Sequence, residues 1–171
     1  MITETYAEEV KGILARYPDP KSAALPLMHL AQREHGYMSK EAMQEVAGIL
    51  GLDPTHILSL AGFYTLYHEQ PVGKYVLEVC DDLACALRGA GDLVRMLKDK
   101  LDVEVEGTTA DNMFTLKTVM CLAACDKAPM LQCNLAYHEH LDEAKVDKLI
   151  ADIRAGKDET AVVDKISAYA K

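Results

Sequence analysis

The spacing of apolar side chains changes at about residue 71 of the chain. Before that point apolar residues recur every three or four positions, as on one face of a helix, and the first such run extends from Tyr6 to Tyr17. After Pro71-Val72-Gly73, the segment KYVLEVC places residues alternately on two faces, as in a strand, and this strand ends at Cys80. The pattern predicts a helical domain over residues 1–72 and a mixed domain over residues 73–171.

The helical domain is predicted to be a small bundle. The first helix stops at Pro18-Asp19-Pro20, because proline cannot continue a helix. Three further helices are indicated by capping residues before apolar repeats, and glycine follows two of them. They are predicted over residues 22–36, 39–51 and 53–60, with Ser22, Ser39 and Asp53 as caps.

The mixed domain has the order strand, helix, strand, strand, strand, helix. The strands are predicted near residues 74–80, 103–105, 114–120 and 130–134, with helices over 93–101 and from Asp142 onward, followed by a C-terminal helical tail. A βαβ unit followed by a ββα unit is the thioredoxin order. The fold class is therefore predicted as α+β, with a helical bundle followed by a thioredoxin-like four-stranded sheet.

Four of the five cysteines stand as two close pairs, Cys80-x4-Cys85 and Cys121-x3-Cys125. The pairs are predicted in the loops after the first and third strands, so the four thiols meet near the surface if both loops lie at the same end of the sheet. A [2Fe-2S] cluster needs this set, because each iron takes two thiolates from the protein. The fifth cysteine, Cys133, is interpreted as a small buried hydrophobe.

Disulfides, a zinc site and a redox-active dithiol are the alternatives to a cluster. Disulfides need an oxidising compartment, and the N-terminal segment MITETYAEEV has no secretory signal pattern. A four-cysteine zinc site remains open, although its usual half-site is C-x2-C, a spacing that neither pair has. A dithiol oxidoreductase would need C-x-x-C, which the sequence lacks.

Composition and charge exclude several functions. The 18 basic and 27 acidic residues give a net charge of -9, which argues against nucleic-acid binding. No apolar run approaches the length of a membrane span, so contact with a membrane is expected only through partners. There is no carboxylate pair, Ser-His-Asp set or glycine-rich phosphate loop, so no catalytic residue is predicted. His68 and the pair His138-x-His140 are interpreted as surface or packing residues.

Several segments together resemble a known family. They are AQREHGYMSKEA, VAGILGL and GFYTLYHEQPVGKY in the first domain, and VCDDLACALRGA and CLAACDKAPM in the second. The chain resembles, over nearly its whole length, the thioredoxin-like [2Fe-2S] subunit, known as the 24 kDa subunit family, of NADH:quinone oxidoreductase, respiratory complex I. The resemblance implies that Cys80, Cys85, Cys121 and Cys125 ligate the cluster. This chain has Ala123 where the family's second cysteine pair usually encloses glycine, which implies a slightly altered loop.

The resemblance also implies a function and a partner. It implies one [2Fe-2S] cluster that accepts single electrons derived from NADH, close to FMN on a neighbouring NADH- and FMN-binding flavoprotein of the 51 kDa family. The helical domain would fix this subunit on that partner, peripherally on the cytoplasmic side of the membrane. The alternatives are the equivalent diaphorase subunit of an NAD-linked hydrogenase or formate dehydrogenase and, from a different class, a structural zinc module for protein interaction.

Overall fold

The computed structural model describes residues 1–157 of the chain. They fall into two compact units, one of residues Met1–Pro71 and one that begins at Val72. The C-terminal tail predicted to follow the last helix lies outside the described residues. No single helix within residues 1–157 is long and apolar enough to cross a membrane, and the helices Lys40–Leu50 and Pro54–Phe63 reach that length only as a pair bent by 118°.

The first unit is helical, as predicted. Its α-helices are α1 (Ile2–Thr5), α2 (Ala7–Leu14), α3 (Ala24–His35), α4 (Lys40–Leu50) and α5 (Pro54–Phe63), with a 3₁₀ turn over Pro20–Ala23. Ser39 and Asp53 cap α4 and α5, because their side-chain oxygens accept hydrogen bonds from the N–H groups of Ala42 and Thr55.

The cap predicted at Ser22 is wrong. The chain turns into the 3₁₀ segment at Pro20, whose fixed φ suits the first helical position, and Asp19 accepts the N–H of Lys21 at 3.0 Å. Ser22 therefore lies inside this turn, and α3 continues from it.

The apolar faces of these helices form one core. Its fully buried side chains include Ile2, Leu27, Met28, Met38 and Ile57. All members of this core belong to the first unit, so the burial that stabilises the helices is supplied by the unit itself.

The second unit contains a four-stranded sheet with helices, and it confirms the predicted α+β, thioredoxin-like class. In chain order its elements are β1 (Tyr75–Cys80), α6 (Leu83–Leu87), α7 (Ala90–Leu101), β2 (Phe114–Val119), a 3₁₀ turn (Cys125–Lys127), β3 (Leu131–Cys133), β4 (Ala136–His138) and α8 (Glu143–Arg154). The strands lie in the order β2-β1-β3-β4. β1 is parallel to β2 and antiparallel to β3, and β3 is antiparallel to β4.

Two details of the predicted sheet are wrong. Residues 103–105 form no strand, because the chain turns on either side of them: Asp102 and Glu106 have positive φ, and the N–H of Gly107 bonds back to the carbonyl of Glu104 at 2.9 Å. The fourth strand is instead β4, which pairs with β3 through a short turn where Asn134 has φ +51°.

The second unit has a main core and a smaller one. Tyr75, Leu77 and Val79 share one face of β1, as the alternation predicted, and they pack with apolar residues of α7 and α8. Cys133 is fully buried in this main core, opposite Leu77 in the sheet. The smaller core contains Cys80, Cys85, Ala90, Ala124, Ala128 and Met130. The site is built around that smaller core.

Candidate iron-sulfur site

The parallel pairing of β1 and β2 places both cysteine loops at one end of the sheet. Cys80 is the last residue of β1 and lies opposite Val119, the last residue of β2. The N–H of Asp81 donates to the carbonyl of Val119 at 3.2 Å, so the two loops leave the sheet side by side. The second loop follows the second strand and not the third, because residues 103–105 are not a strand.

A short helix positions the second thiol of the first pair. Asp82 caps α6 by accepting the N–H of Leu83 at 2.8 Å, and Cys85 lies in the middle of the helix with its side chain buried. This helix, α6, is absent from the elements predicted above. The cap at Asp82 followed by LACAL is the signal that indicates it.

The second loop holds its two thiols close together. Cys121 Sγ and Cys125 Sγ are 3.7 Å apart, and the N–H of Ala123 points to Cys121 Sγ at 3.3 Å. Ala123 has φ +59°, in the left-handed region, which fits its position where the loop turns back. From β4, the hydroxyl of Tyr137 donates to the carbonyl of Leu122 at 2.7 Å. This support from Tyr137 depends on a strand that the sequence analysis missed.

The distance between the two sulfur atoms of the second pair matches the distance expected for two thiolates on one metal ion. With metal–thiolate bonds of about 2.3 Å and tetrahedral angles, two thiolates on one metal ion lie about 3.8 Å apart. The 3.7 Å between Cys121 and Cys125 therefore suits two ligands of a single tetrahedral ion. Within residues 1–157 no three His, Cys, Asp or Glu side chains are grouped closely enough to hold one ion, so the thiols stand as pairs.

The two pairs differ in exposure. Cys80 and Cys85 are each 1% exposed, whereas Cys121 and Cys125 are exposed. Burial, then the neighbouring thiol of Cys80 and more weakly those of Cys125 and Cys121, raises the pKa of Cys85 to about 12. The hydrogen bond with Cys121 is the main cause that raises the pKa of Cys125. The neighbouring thiols thus oppose the ionisation of Cys85 and Cys125, and bound metal cations would offset this repulsion.

The walls of the site are small and apolar. Three alanines, with Met130 and the half-buried Leu122, pack around the buried thiols. Four sulfur donors in two pairs, with small apolar side chains around the buried pair, fit a compact iron-sulfur group, because its irons bind thiolates. Near the site, Lys127 is neutralised by an ion pair with Glu139 at 2.7 Å, and Arg88 is exposed.

The sequence and the fold of the chain are similar to those of known proteins. Residues 10–154 match the model of the thioredoxin-like [2Fe-2S] ferredoxin family, and the chain belongs to that family. Among curated relatives, the E 2 subunit of NADH-quinone oxidoreductase from Rhizobium meliloti (strain 1021) is 42% identical over 158 residues, which are 92% of this chain and 94% of the relative. The E subunit of NADH-quinone oxidoreductase from Rickettsia typhi (strain ATCC VR-144 / Wilmington) is 40% identical over 81% of this chain and 83% of its own length.

Two longer proteins contain a segment similar to this chain. The mitochondrial NADH dehydrogenase [ubiquinone] flavoprotein 2 of Dictyostelium discoideum is 39% identical over 91% of this chain, which spans 64% of that relative. Among solved structures, an NAD+-reducing [NiFe]-hydrogenase in the air-oxidized state matches with a TM-score of 0.66 and 24% identity, over 76% of this chain and 23% of the hydrogenase chain. This last similarity supports the fold alone.

Proposed function

We propose that this chain is the electron-transfer subunit of an NADH dehydrogenase module of complex I and that it carries one [2Fe-2S] cluster. Cys80 and Cys85 would hold one iron, and Cys121 and Cys125 the other. The observation that carries the proposal is that two thiol pairs lie in loops at one end of the sheet, with the sulfurs of one pair 3.7 Å apart. Family membership and the named relatives support it.

When bound, a [2Fe-2S] cluster supplies a one-electron carrier, which is what a flavin needs to pass on a hydride's two electrons singly. The chain's residues set its environment. The N–H of Ala123 points at Cys121 Sγ and favours the more negative, reduced state, whereas the acidic surface acts in the opposite direction. Cys133 lies in the main core and is assigned no ligand role.

The proposed partner is a flavoprotein that binds NADH and FMN, with the helical unit as the clamp. An aromatic turn at the end of α5 suits this role: Phe63 is 77% exposed, and Tyr64 and Leu66 are 40% and 45% exposed. The amide of Gln32 holds the turn in place, because it donates to the carbonyl of Leu66 and accepts the N–H of His68. Exposed aromatic side chains on a fixed backbone are typical anchors of protein interfaces.

The proposed location follows from the family rather than from the site. As a subunit of complex I, the chain would lie peripherally on the cytoplasmic side of the membrane, held there by its partners. The alternative is the diaphorase subunit of an NAD-linked hydrogenase; a solved NAD+-reducing hydrogenase contains a segment with the same fold.

The cluster is tested on the isolated protein. We expect red-brown protein with about two irons and two sulfides per chain, and an electron paramagnetic resonance signal that is present only after reduction. Cys133→Ser should keep this signal, whereas Cys125→Ser should lose or degrade it. Colourless protein with one zinc ion per chain would refute the proposal in favour of the zinc module.

The partner is tested by co-expression with a flavoprotein of the 51 kDa family. We expect a stable heterodimer that oxidises NADH with an artificial electron acceptor. The chain alone should neither bind NADH nor oxidise it. Neighbouring genes for quinone-reductase membrane subunits, or for hydrogenase subunits, would distinguish the two candidate complexes.

A further inference from the structure

One peptide group in the second cysteine loop is hydrogen-bonded at both of its polar atoms. Its carbonyl, that of Leu122, accepts the hydroxyl of Tyr137 at 2.7 Å, and its N–H, that of Ala123, donates to Cys121 Sγ at 3.3 Å. In a trans peptide the C=O and the N–H point in opposite directions, so the two bonds lie on opposite sides of one rigid plane. This single group therefore links the hydroxyl of Tyr137 to the sulfur of Cys121.

The backbone beside this peptide group is strained. Ala123 has φ +59°, a left-handed conformation that is unfavourable for a residue with a Cβ. Rotation of the peptide plane would return Ala123 to a negative φ and would turn its N–H away from Cys121. The hydroxyl of Tyr137 opposes this rotation, because it holds the carbonyl of Leu122 at the other side of the plane.

Tyr137 lies on a strand that is anchored to the sheet. It is the middle residue of β4 and pairs with Gln132 of β3. In the turn between these strands, Asn134 is bonded to β1: its N–H donates to the carbonyl of Val76 at 3.0 Å, and its Oδ1 accepts the N–H of Val76 at 2.9 Å. The hydroxyl of Tyr137 thus reaches the loop from a fixed position in the sheet.

The chain that follows β4 is bonded to the segment just beyond the same loop. The N–H of His140 donates to the carbonyl of Lys127 at 2.8 Å, and the N–H of Leu141 donates to the carbonyl of Pro129 at 2.8 Å. Residues 137–141 therefore hold the loop inside it, through the hydroxyl of the tyrosine, and after it, through the backbone. The hydroxyl is the one of these contacts that reaches a peptide bonded to a proposed ligand sulfur.

We propose that Tyr137 is a positioning residue for the cluster: its hydroxyl keeps the N–H of Ala123 directed at Cys121 Sγ and thereby raises the reduction potential. This inference rests on the proposed function. An N–H donor at a ligand sulfur stabilises the reduced state more than the oxidised state, because the reduced state carries one more negative charge. A rotated peptide would remove this donor and favour the oxidised state.

The effect on the potential is tested with Tyr137→Phe in the isolated protein. This change removes the hydroxyl and keeps the ring, which is 47% exposed, so no core is opened. In a redox titration followed by electron paramagnetic resonance, the ratio of reduced to oxidised cluster at the wild-type midpoint should fall at least threefold. That change lowers the midpoint by about 28 mV, at about 59 mV per tenfold for one electron. An unchanged midpoint would overturn the inference.

Tyr67→Phe is the matched control. The hydroxyl of Tyr67 also donates to a backbone carbonyl, that of Leu25 at 2.9 Å, but it belongs to the helical unit, which supplies no thiol. The control should keep the wild-type midpoint. Equal shifts in Tyr67→Phe and Tyr137→Phe would show a general effect of a lost hydroxyl and would refute the assigned role.

The N–H···S bond itself is measured by pulsed electron-nuclear double resonance on the reduced protein. The wild-type protein should show an exchangeable proton strongly coupled to the cluster, which disappears in D₂O, and this coupling should weaken or vanish in Tyr137→Phe. A lower midpoint with the coupling unchanged would mean that the hydroxyl does not act through the N–H of Ala123. That result would contradict the inference.

Glycine at position 123 tests whether the hydroxyl acts through the left-handed turn. Glycine adopts a positive φ without the strain of a Cβ, so the peptide needs less support from Tyr137. Tyr137→Phe should therefore lower the midpoint less in the Ala123→Gly background than alone, and the same shift in both backgrounds would overturn the inference. If Tyr137→Phe alone retains no cluster, the double variant decides: a recovered cluster supports the role, and no recovery refutes it.

Failure of this inference differs from failure of the proposed function. If the wild-type protein contains no [2Fe-2S] cluster, the proposed function is wrong. If the wild-type protein contains the cluster and Tyr137→Phe has the wild-type midpoint, only the role of Tyr137 is wrong.

Discussion

The two units use their apolar residues differently. The helical unit places them in one continuous core and exposes aromatic side chains on a turn held by hydrogen bonds. The sheet unit divides its buried residues between a main core and a smaller one that contains Cys80 and Cys85. The thiols therefore lie at the edge of a well-packed scaffold, where loops vary without loss of the main core.

This difference implies a division of labour. The sheet unit supplies all four thiols proposed as ligands, and the helical unit supplies none. If the helical unit is the clamp, removing it should affect assembly and leave the cluster. If its removal leaves assembly with the flavoprotein unchanged, the helical unit has another role.

The largest effect is expected from deletion of residues 1–70. The remaining sheet unit should keep its visible absorbance and iron content, because the thiol pairs and both of their cores lie beyond Val72. Its affinity for the flavoprotein, measured by biolayer interferometry, should fall at least about 100-fold, because obligate interfaces usually exceed about 2,000 Å² and the aromatic turn is lost.

A point variant in the aromatic turn distinguishes the turn's contribution to binding from that of the rest of the helical unit. Phe63→Ala should weaken the heterodimer by about tenfold or more without changing the helical content, because Phe63 is 77% exposed. Unchanged affinity after both the deletion and the point change would assign the interface to the sheet unit.

The sequence predicted the elements whose patterns are long or capped. The alternation in β1, the caps at Ser39 and Asp53 and the buried Cys133 were all visible, because each follows from local chemistry. Residues 103–105 were misassigned because two valines alternate with acidic residues there, whereas the backbone turns at Asp102 and Glu106. β4 has three residues, too few for a period to show.

The sequence predicted which residues form the candidate site. It did not predict the contacts that hold those residues in place. Cysteine spacing identified the four thiols, and the parallel β1–β2 pair brings their loops together. The bond from Tyr137 to Leu122 and the exposed face of α6 depend on tertiary placement, which spacing does not encode. The predicted ligand set stays a prediction until the metal is measured.

Core truncations should affect each unit through its own core. Leu27→Ala and Leu77→Ala each remove a fully buried side chain and should lower the free energy of unfolding by about 2–5 kcal/mol. When chemical denaturation is followed by the cluster's absorbance, the midpoint should shift to a lower denaturant concentration for Leu77→Ala. For Leu27→Ala, far-ultraviolet circular dichroism should show that more helical signal is lost at low denaturant concentration than for Leu77→Ala. A large shift of the cluster transition in Leu27→Ala would mean that the two cores unfold together.

A smaller, pH-dependent effect is expected in the helical unit. Burial lowers the pKa of His29, whose ring packs against Tyr67 at a tilt of 43°, with ring centroids 4.7 Å apart. Because the folded state disfavours the charged ring, stability is present above the unfolded pKa of about 6.5 and is lost as pH falls through it toward the lower folded pKa, by at most about 1.4 kcal/mol per pH unit. Hydrogen exchange of α3 amides between pH 7 and pH 5 measures this loss.

The histidine variant isolates that contribution. His29→Phe keeps an aromatic ring against Tyr67 and removes the charge, so α3 amides should lose less protection at pH 5 than in the wild-type protein. His56→Gln changes an exposed histidine and serves as the control. The same acid sensitivity in His29→Phe would assign it to other groups of the unit.

The smallest effect is expected at Ala123, where the loop between two proposed ligands adopts φ +59°. The left-handed conformation costs a residue with a Cβ about 1–2 kcal/mol, and glycine adopts it without that cost but loses more entropy on folding. Ala123→Gly should therefore stabilise the loop by no more than about 1 kcal/mol and slow the loss of visible absorbance in the presence of an iron chelator.

Ala124→Gly is the matched control, because Ala124 has φ -123° and is 7% exposed, so glycine there should only destabilise. Faster cluster loss in Ala123→Gly than in the wild-type protein would show that the methyl group of Ala123 shields the thiols more than its backbone strains the loop.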